Sequence, residues 1–269
     1  MKWVVAIDPY NDKSNGIKLM HKFCNDLNEI GEEAYLVFLG PIENVIDRKI
    51  FISYDKSLIN SNLNTPPLPK KFLKNGWVDD FIVVYTEVLA GNPLKAKNIV
   101  RWIGNKQIFS SWRQFLSIEK EAFTLAHSKI FLENSNEVLY NSHIDEIFFE
   151  KDDILDHKDR NLDLIYHGKG ADFTECKIYD NTFFIDRMWP KSCEQLSLLL
   201  KKCRYLYTYD SMTNLIAEAI AAGAVPVILN YKPWTEQEID SIEAGPLPRG
   251  QLLSIKNNLI FAEVDIDSF

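Results

Sequence analysis

The chain opens on an apolar run, Trp3 to Ile7, followed by a polar turn, Asp8 to Gly16. From Ile17 the apolar period changes. Ile17, Met20, Phe23, Cys24, Leu27 and Ile30 recur at steps of three and four, the spacing of one helix face, and Gly31 supplies the stop. A second apolar run, Ala34 to Leu39, completes a strand–helix–strand unit. Further short runs at Phe81 to Tyr85, Lys129 to Leu132, Leu162 to Tyr166, Tyr205 to Tyr209 and Val225 to Leu229 predict strands between helices. They are nearly continuous in apolar residues rather than alternating, which calls for parallel sheets covered on both faces. A clear helix is predicted from Glu194 to Lys202. The Asn- and Pro-rich stretch Asn60 to Pro69 has no period and reads as a surface loop.

The pattern also marks a boundary. Between Glu150 and Arg160 the charged groups Lys151-Asp152-Asp153 and Asp156-His157-Lys158-Asp159-Arg160 resist burial and suit a linker. Residues 1–150 and 151–269 are then expected to be two Rossmann-like α/β units facing a central cleft. Ligands of open parallel sheets bind beyond the carboxyl ends of the strands, so the cleft is the expected site.

Composition supports two modest cores: 46% of the 269 residues are apolar and 25% charged. No uncharged apolar window reaches membrane-spanning length, and Asp8 comes too early for a signal peptide, so a cytoplasmic protein is expected. Cys24, Cys176, Cys193 and Cys203 lie far apart and form no CxxC pair, which suggests neither a metal site nor a disulfide framework. The net charge of −8 argues against an overall nucleic-acid-binding surface. Locally the balance reverses. Lys70, Lys71, Lys74, Lys95, Lys97, Arg101, Lys106 and Arg113 outnumber Asp79, Asp80 and Glu87, with Trp77, Tyr85, Trp102, Phe109 and Trp112 interleaved. This is either a solvated basic helix face above core aromatics or a surface for an anionic acceptor.

The richest segment for chemistry runs from Tyr205 to Leu229. It reads as a buried strand, a turn rich in capping residues (Asp210, Ser211, Thr213, Asn214), a helix closed at Gly223 and another buried strand. A helix N-terminus at a strand's carboxyl end presents unpaired N–H groups to an anion. Asp210 stands eight positions before Glu218, which is roughly 12 Å at helical rise. That separation suits a molecule whose sugar and ribose hydroxyls flank a diphosphate.

Asp210 to Val227 resembles the donor signature of retaining GT-B glycosyltransferases of the family-4 type, an acid-x7-acid spacing followed by Gly-x-Pro-Val. The resemblance implies that Asp210 contacts the donor sugar and Glu218 the ribose; the helix N-terminus places the phosphates on Ser211, Thr213, Asn214 and Leu215. This chain carries Asp where Glu is usual in the first position. Asp163-Leu-Ile-Tyr-His167-Gly168-Lys169-Gly170 resembles the first strand and turn of a GT-B donor domain, where a basic residue meets the phosphates. Lys169 takes that role, and the glycines admit a close backbone approach. Arg187, in Phe184-Ile-Asp-Arg187-Met-Trp-Pro190, is a second phosphate contact or a surface ion pair.

In the first half, the loop ending at Ser14, Asn15 and Gly16 resembles the glycine-containing loop that closes over the donor diphosphate; equally, it caps a helix. Thr86-Glu87-Val-Leu-Ala-Gly91-Asn92-Pro93 resembles an acceptor-side stretch of bacterial glycosyltransferases and precedes an expected helix carrying Lys95, Lys97 and Arg101. Glu87 is either a base or orienting group for an acceptor hydroxyl, or an ordinary strand-end carboxylate. His127 and His143 read as structural. The resemblance implies transfer of a hexose or pentose from a nucleotide-diphosphate sugar, the co-substrate, with retention and without a metal or other cofactor. The acceptor would be a surface glycan or a hydroxylated base in phage DNA, the latter placing the enzyme in the host cytoplasm. A nucleotide-sugar epimerase and a non-catalytic sugar-nucleotide-binding subunit are the alternatives.

Overall fold

A computed structural model describes residues 1–40, 49–74, 76–89, 91–104, 122–128, 131–132, 135–139, 144–150, 154–168, 175, 181–210 and 213–229. Of the expected site residues, Lys169 and Ser211 lie outside this set, as do Lys106, Phe109, Trp112, Arg113, His143, Gly170 and Cys176. The chain divides into two compact α/β units, Met1–His143 and Ile144–Phe269.

In the first unit β1 (Lys2–Ile7), β2 (Glu33–Leu39), β3 (Ile50–Phe51), β4 (Ile82–Thr86), β5 (Asn98–Ile103), β6 (Phe123–Ala126) and β7 (Glu137–Val138) form one sheet in the order β3-β2-β1-β4-β5-β6-β7. Every described pairing is parallel except β2 with β3. Helix α1 (Asn15–Glu29) lays Met20, Phe23, Cys24 and Leu27 on a face made by Val5, Ile7, Leu36, Phe38, Val84, Val100 and Trp102. Each such side chain contributes about 1.5–3 kcal/mol when fully buried. The opposite face, with Val4, Ala6, Val37, Val83 and Tyr85, packs against Leu68, Phe81, Leu89 and Ala96.

Three sequence expectations change here. Residues 95–101 are not helical. The run Ile99, Val100, Trp102, Ile103 is β-branched and aromatic, and it enters the sheet as β5. The connection from β4 to β5 is a parallel crossover with no helix, so its backbone needs other partners. Arg101 supplies them: it is 1% exposed, and its guanidinium donates to the carbonyls of Thr86 (3.2 Å), Leu89 (2.6 Å) and Gly91 (2.6 Å). Asn92 adds bonds to both the N–H and the C=O of Ala96. Of the strand expected over residues 129–132, Lys129 and Ile130 lie outside the described residues, and Phe131 sits in a turn, its N–H on the Ser128 carbonyl, after strand β6. His127 therefore follows a strand rather than preceding one. The Asn- and Pro-rich stretch is pinned along β2: Leu36 N–H donates to Pro66 and Leu68 N–H to Leu36, which buries Leu68 completely.

The second unit holds β8 (Leu162–Tyr166), β9 (Thr182–Ile185), α2 (Cys193–Lys202), β10 (Cys203–Thr208), α3 (Leu215–Ala221) and β11 (Val225–Ile228), with an all-parallel sheet ordered β11-β10-β8-β9. Helix α2 starts at the cap Ser192, whose side chain accepts from Gln195 N–H, and runs into β10 with no residue between them. A core of Phe148, Leu164, Ile185, Leu200, Leu206, Leu215 and Ala219 joins the helices to the sheet. Because Phe148 is fully buried there, the boundary falls ahead of the charged interval at 150–160 rather than within it. Arg160, expected in a solvated linker, is buried. It donates to the carbonyls of Leu155 (2.9 Å), Leu200 (3.4 Å), Cys203 (2.8 Å) and Ala222 (3.1 Å), so one cation answers the carboxyl ends of both helices. Among the described residues no helix is long and apolar enough to cross a membrane.

Candidate functional site

Strand order locates the site in the second unit. From β8 the chain goes to β9 on one side, then to β10 on the other, so the connections diverge between β8 and β10. At such a switch point the carboxyl ends leave a crevice for a ligand. Two strand ends meet there. Tyr209 N–H donates to Tyr166 C=O at 3.0 Å, which holds residues 166–168 beside residues 208–210. Thr208 Oγ1 accepts from Asp210 N–H (3.0 Å) and donates to Asp210 C=O (3.1 Å). This tight turn tucks Asp210 in to 2% exposure.

Gly168 has φ +52°, and a Cβ there would lie 2.4 Å from Tyr166 Cε1 and 2.6 Å from Asp210 Oδ2. Its missing side chain is the space that Tyr166 and Asp210 occupy. That differs from the expected role of a backbone approach to ligand. The Tyr166 phenol lies in the field of the Asp210 carboxylate, the Arg187 guanidinium and the Thr213 hydroxyl. Burial pushes its ionisation up from the ordinary value, Asp210's charge pushes the same way, and Arg187 and Thr213 oppose both. Arg187 is itself exposed. Its turn is fixed by Asp186 Oδ1, which accepts from Met188 N–H (2.7 Å) and Trp189 N–H (2.8 Å).

Glu218 follows on α3. The ordinary expectation for a helix glutamate is a solvated surface position, yet Glu218 is 6% exposed, with Oε1 taking a 2.9 Å hydrogen bond from Asn214 Nδ2. Asn214 stands at the start of the helix, and Leu215 N–H reaches Thr213 Oγ1 at 3.4 Å. The helix has seven residues, about two turns, so its dipole is small and the side chains carry more of the recognition. Thr213, Asn214, Leu215, Glu218, Arg187 and Asp210 are thus all on the carboxyl side of this sheet.

The first unit has its own switch point, between β1 and β4. Gly16 lies exposed in the first turn of α1, which follows β1, and Glu87 follows β4. Glu87 Oε2 accepts from Gly104 N–H at 3.1 Å, tying it to the end of β5. Two buried polar atoms there, Asn15 Oδ1 and Thr86 Oγ1, have no hydrogen-bond partner among the described residues. The proposed acceptor cations do not assemble beside them. Lys97 precedes β5, at the amino edge of the sheet, about 17 Å from the carboxyl edge for a strand of this length. Lys95 is exposed in the crossover with φ +55°, and Arg101 is internal, as described. Burial pushes the His127 imidazole down to about 4, and its ring stacks on Phe131. Sequence reasoning missed Tyr166 and Thr208, which look like ordinary strand residues. The signal for Tyr166 was its place two residues before a glycine at a strand's carboxyl end.

No family model matches the chain, and no curated protein matches it. Among solved structures, an α-glucosyltransferase in complex with UDP and a 13-mer DNA containing a central A:G mismatch is similar, at 13% identity over 98% of this chain and 91% of that one, with a TM-score of 0.47.

Proposed function

We propose that the chain is a glycosyltransferase moving a hexose or pentose from a nucleotide-diphosphate sugar to an acceptor hydroxyl. The observation that carries this is the set of groups at the carboxyl end of the second sheet: two buried carboxylates, Asp210 and Glu218, beside its switch point, and the exposed Arg187 two residues past β9. A carboxylate accepts hydrogen bonds from sugar hydroxyls, and a guanidinium binds phosphate oxygens in a planar fork. In this reading Asp210 takes the donor sugar and Glu218 the ribose. Arg187 and Lys169 take the diphosphate, together with Ser211 and the amides and side chains of Thr213, Asn214 and Leu215.

The transfer we propose retains configuration, as the resemblance of Asp210 to Val227 implies, and needs no metal, because fixed donors offset the charge that develops on the departing diphosphate. In the first unit Glu87, fixed by the Gly104 amide, orients the acceptor hydroxyl. Of the three cations, Lys95 remains exposed for an acceptor, while Lys97 lies at the amino edge of the sheet and Arg101 is buried.

The test is a thermal-shift screen with ADP, GDP, UDP and their sugar conjugates. Ligand at a hundred times Kd adds about 2.7 kcal/mol of stability. A hit is followed by incubating the sugar nucleotide with a glycan panel and with hydroxymethylated DNA, reading nucleoside diphosphate release. Transfer that weakens steeply with salt selects DNA, since phosphate contacts release counterions. Release with the donor alone selects an epimerase or hydrolase. No stabilisation by any nucleotide would remove the reading altogether.

A further inference from the structure

Polar groups gather at the carboxyl end of the β4–β5 pair. Thr86, the last residue of β4, pairs directly with Trp102 of β5, so their side chains leave the sheet on one face, the face that α1 covers. Trp102 is 2% exposed, and its ring is held against Phe23 of α1 with 5.4 Å between centroids. Its indole N–H is thereby carried past the strand end to Gly104. A Cβ built on that glycine would stand 3.4 Å from Trp102 Nε1 and 3.5 Å from Glu87 Oε1. A hydrogen-bond donor and a carboxylate oxygen so converge on one point beside Gly104, while the other carboxylate oxygen is fixed by the Gly104 amide at 3.1 Å.

Two of these groups have hydrogen-bonding capacity to spare. Among the described residues nothing accepts from the Trp102 indole N–H, and the hydroxyl of Thr86, a residue 6% exposed, is buried without a partner. Such groups are in the great majority of cases satisfied by protein or by a bound molecule. Neither backbone strain nor crowding calls for glycine at position 104: its φ is outside the left-handed region, and a methyl group would meet its neighbours at 3.4–3.6 Å. What the bare Cα leaves is room in front of the donor and the carboxylate.

We infer that Trp102 Nε1 and Glu87 Oε1 together hold one hydroxymethyl group of the acceptor, which rests on the acceptor-side reading of Glu87 given above and adds to it the donor that works opposite the carboxylate. The indole is a donor only, and a carboxylate oxygen accepts more than one hydrogen bond, so the group between them must accept from one and donate to the other. A hydroxyl does both. A phosphate would face a carboxylate, an ammonium cannot accept, and a methyl group would leave both polar atoms unanswered. Because Trp102 is almost wholly covered, a hydroxyl on a projecting carbon reaches its N–H where a ring hydroxyl does not.

The test titrates the whole chain by NMR with two small probes, methyl glucoside and hydroxymethyl-deoxycytidine, each compared with the analogue whose hydroxymethyl group is a methyl group. Trp102→Phe keeps a ring against Phe23 and deletes the N–H; Gly104→Ala leaves the core untouched and fills the space in front of the pair. The wild type is expected to bind one hydroxymethyl probe about ten-fold more tightly than its methyl analogue, and which probe does so tells a sugar acceptor from a base. Each folded variant should lose that preference and keep wild-type affinity for the nucleoside diphosphate. A preference unchanged in Trp102→Phe or Gly104→Ala, or absent from the wild type for both probes, would overturn the assignment. A preference that depends on Trp102 in a chain that binds no nucleoside diphosphate would keep the hydroxymethyl site and fail the transfer reading.

Discussion

Gly168→Ala and Gly31→Ala make a matched pair that isolates the close approach at the strand ends. Both glycines have positive φ, +52° and +88°, so alanine at either must enter the left-handed region, at about 1–2 kcal/mol. Both substitutions also stiffen the unfolded chain, which returns about 0.4–1 kcal/mol. The net cost from these two effects alone is about 1 kcal/mol. Space then separates them. At Gly31 nothing lies within 4 Å of the added carbon; at Gly168 it meets Tyr166 Cε1 at 2.4 Å, Asp210 Oδ2 at 2.6 Å and Asp210 Cβ at 2.8 Å. Such overpacking costs about 1–3 kcal/mol when the neighbours are held. The Asp210 backbone is held by its bonds to Thr208 Oγ1 and the side chain is buried, so the residue cannot retreat as a whole. Urea unfolding, read on the transition of the unit that contains each change, should show Gly168→Ala losing about 2–4 kcal/mol against about 1 for Gly31→Ala. Nucleoside diphosphate affinity should fall in Gly168→Ala only. Equal stability losses with donor affinity intact in both would refute the argument that Gly168 is there to make room for Tyr166 and Asp210.

Four other outcomes are expected. Glu218→Ala should keep its fold and weaken the nucleoside diphosphate by about 1.5–3 kcal/mol in a calorimetric titration, the loss of one charged hydrogen-bond partner. Asp210→Asn should lower turnover more than it lowers affinity for the free nucleoside diphosphate; parallel losses in a kinetic and binding comparison would make Asp210 a turn support. Arg160→Met should cost the second unit about 3–5 kcal/mol in urea unfolding, because buried carbonyls of Leu155, Cys203 and Ala222 lose their donor together. His127 has a folded pKa of about 4 against 6.5 unfolded, so the unfolded chain binds the proton more readily; its contribution is complete above pH 6.5 and is lost as pH falls toward 4. His127→Phe should flatten that part of the pH–stability curve, and an unchanged acid limb would show that the imidazole is not held neutral.

Legibility followed how local the cause was. The strand Leu162–Tyr166 and helix α2 were readable because four apolar residues about a single Asp163, or a Ser cap with Glu and Gln behind it, decide their own conformation. The acid pair was readable too, as spacing along one chain segment. Residues 95–101 were not, because the cations Lys95, Lys97 and Arg101 read as solvated positions of a helix while the sheet takes the apolar residues among them. Nothing local says that Arg101 will turn inward, since its partners are carbonyls ten to fifteen residues away. Arg160 misled for the same reason, at distances of up to 62 residues. Tyr166 went unseen because a phenol at a strand end is unremarkable until Gly168 folds against it and Asp210 arrives from the next strand.

The direct splice of α2 into β10 at Lys202–Cys203 sets where this chain can change length. With no slack between helix and strand, one inserted residue would move every following side chain to the other face of the sheet. Leu206 would leave the core, and Asp210 would arrive at the crevice in the wrong orientation. The helix-free crossover before β5 behaves oppositely at its exposed positions, where an added residue can bulge outward while Arg101 keeps its grip on the carbonyls. Deletions and insertions made along the second unit should therefore be tolerated least at the junction that, by sequence, looks like the most ordinary helix end in the protein.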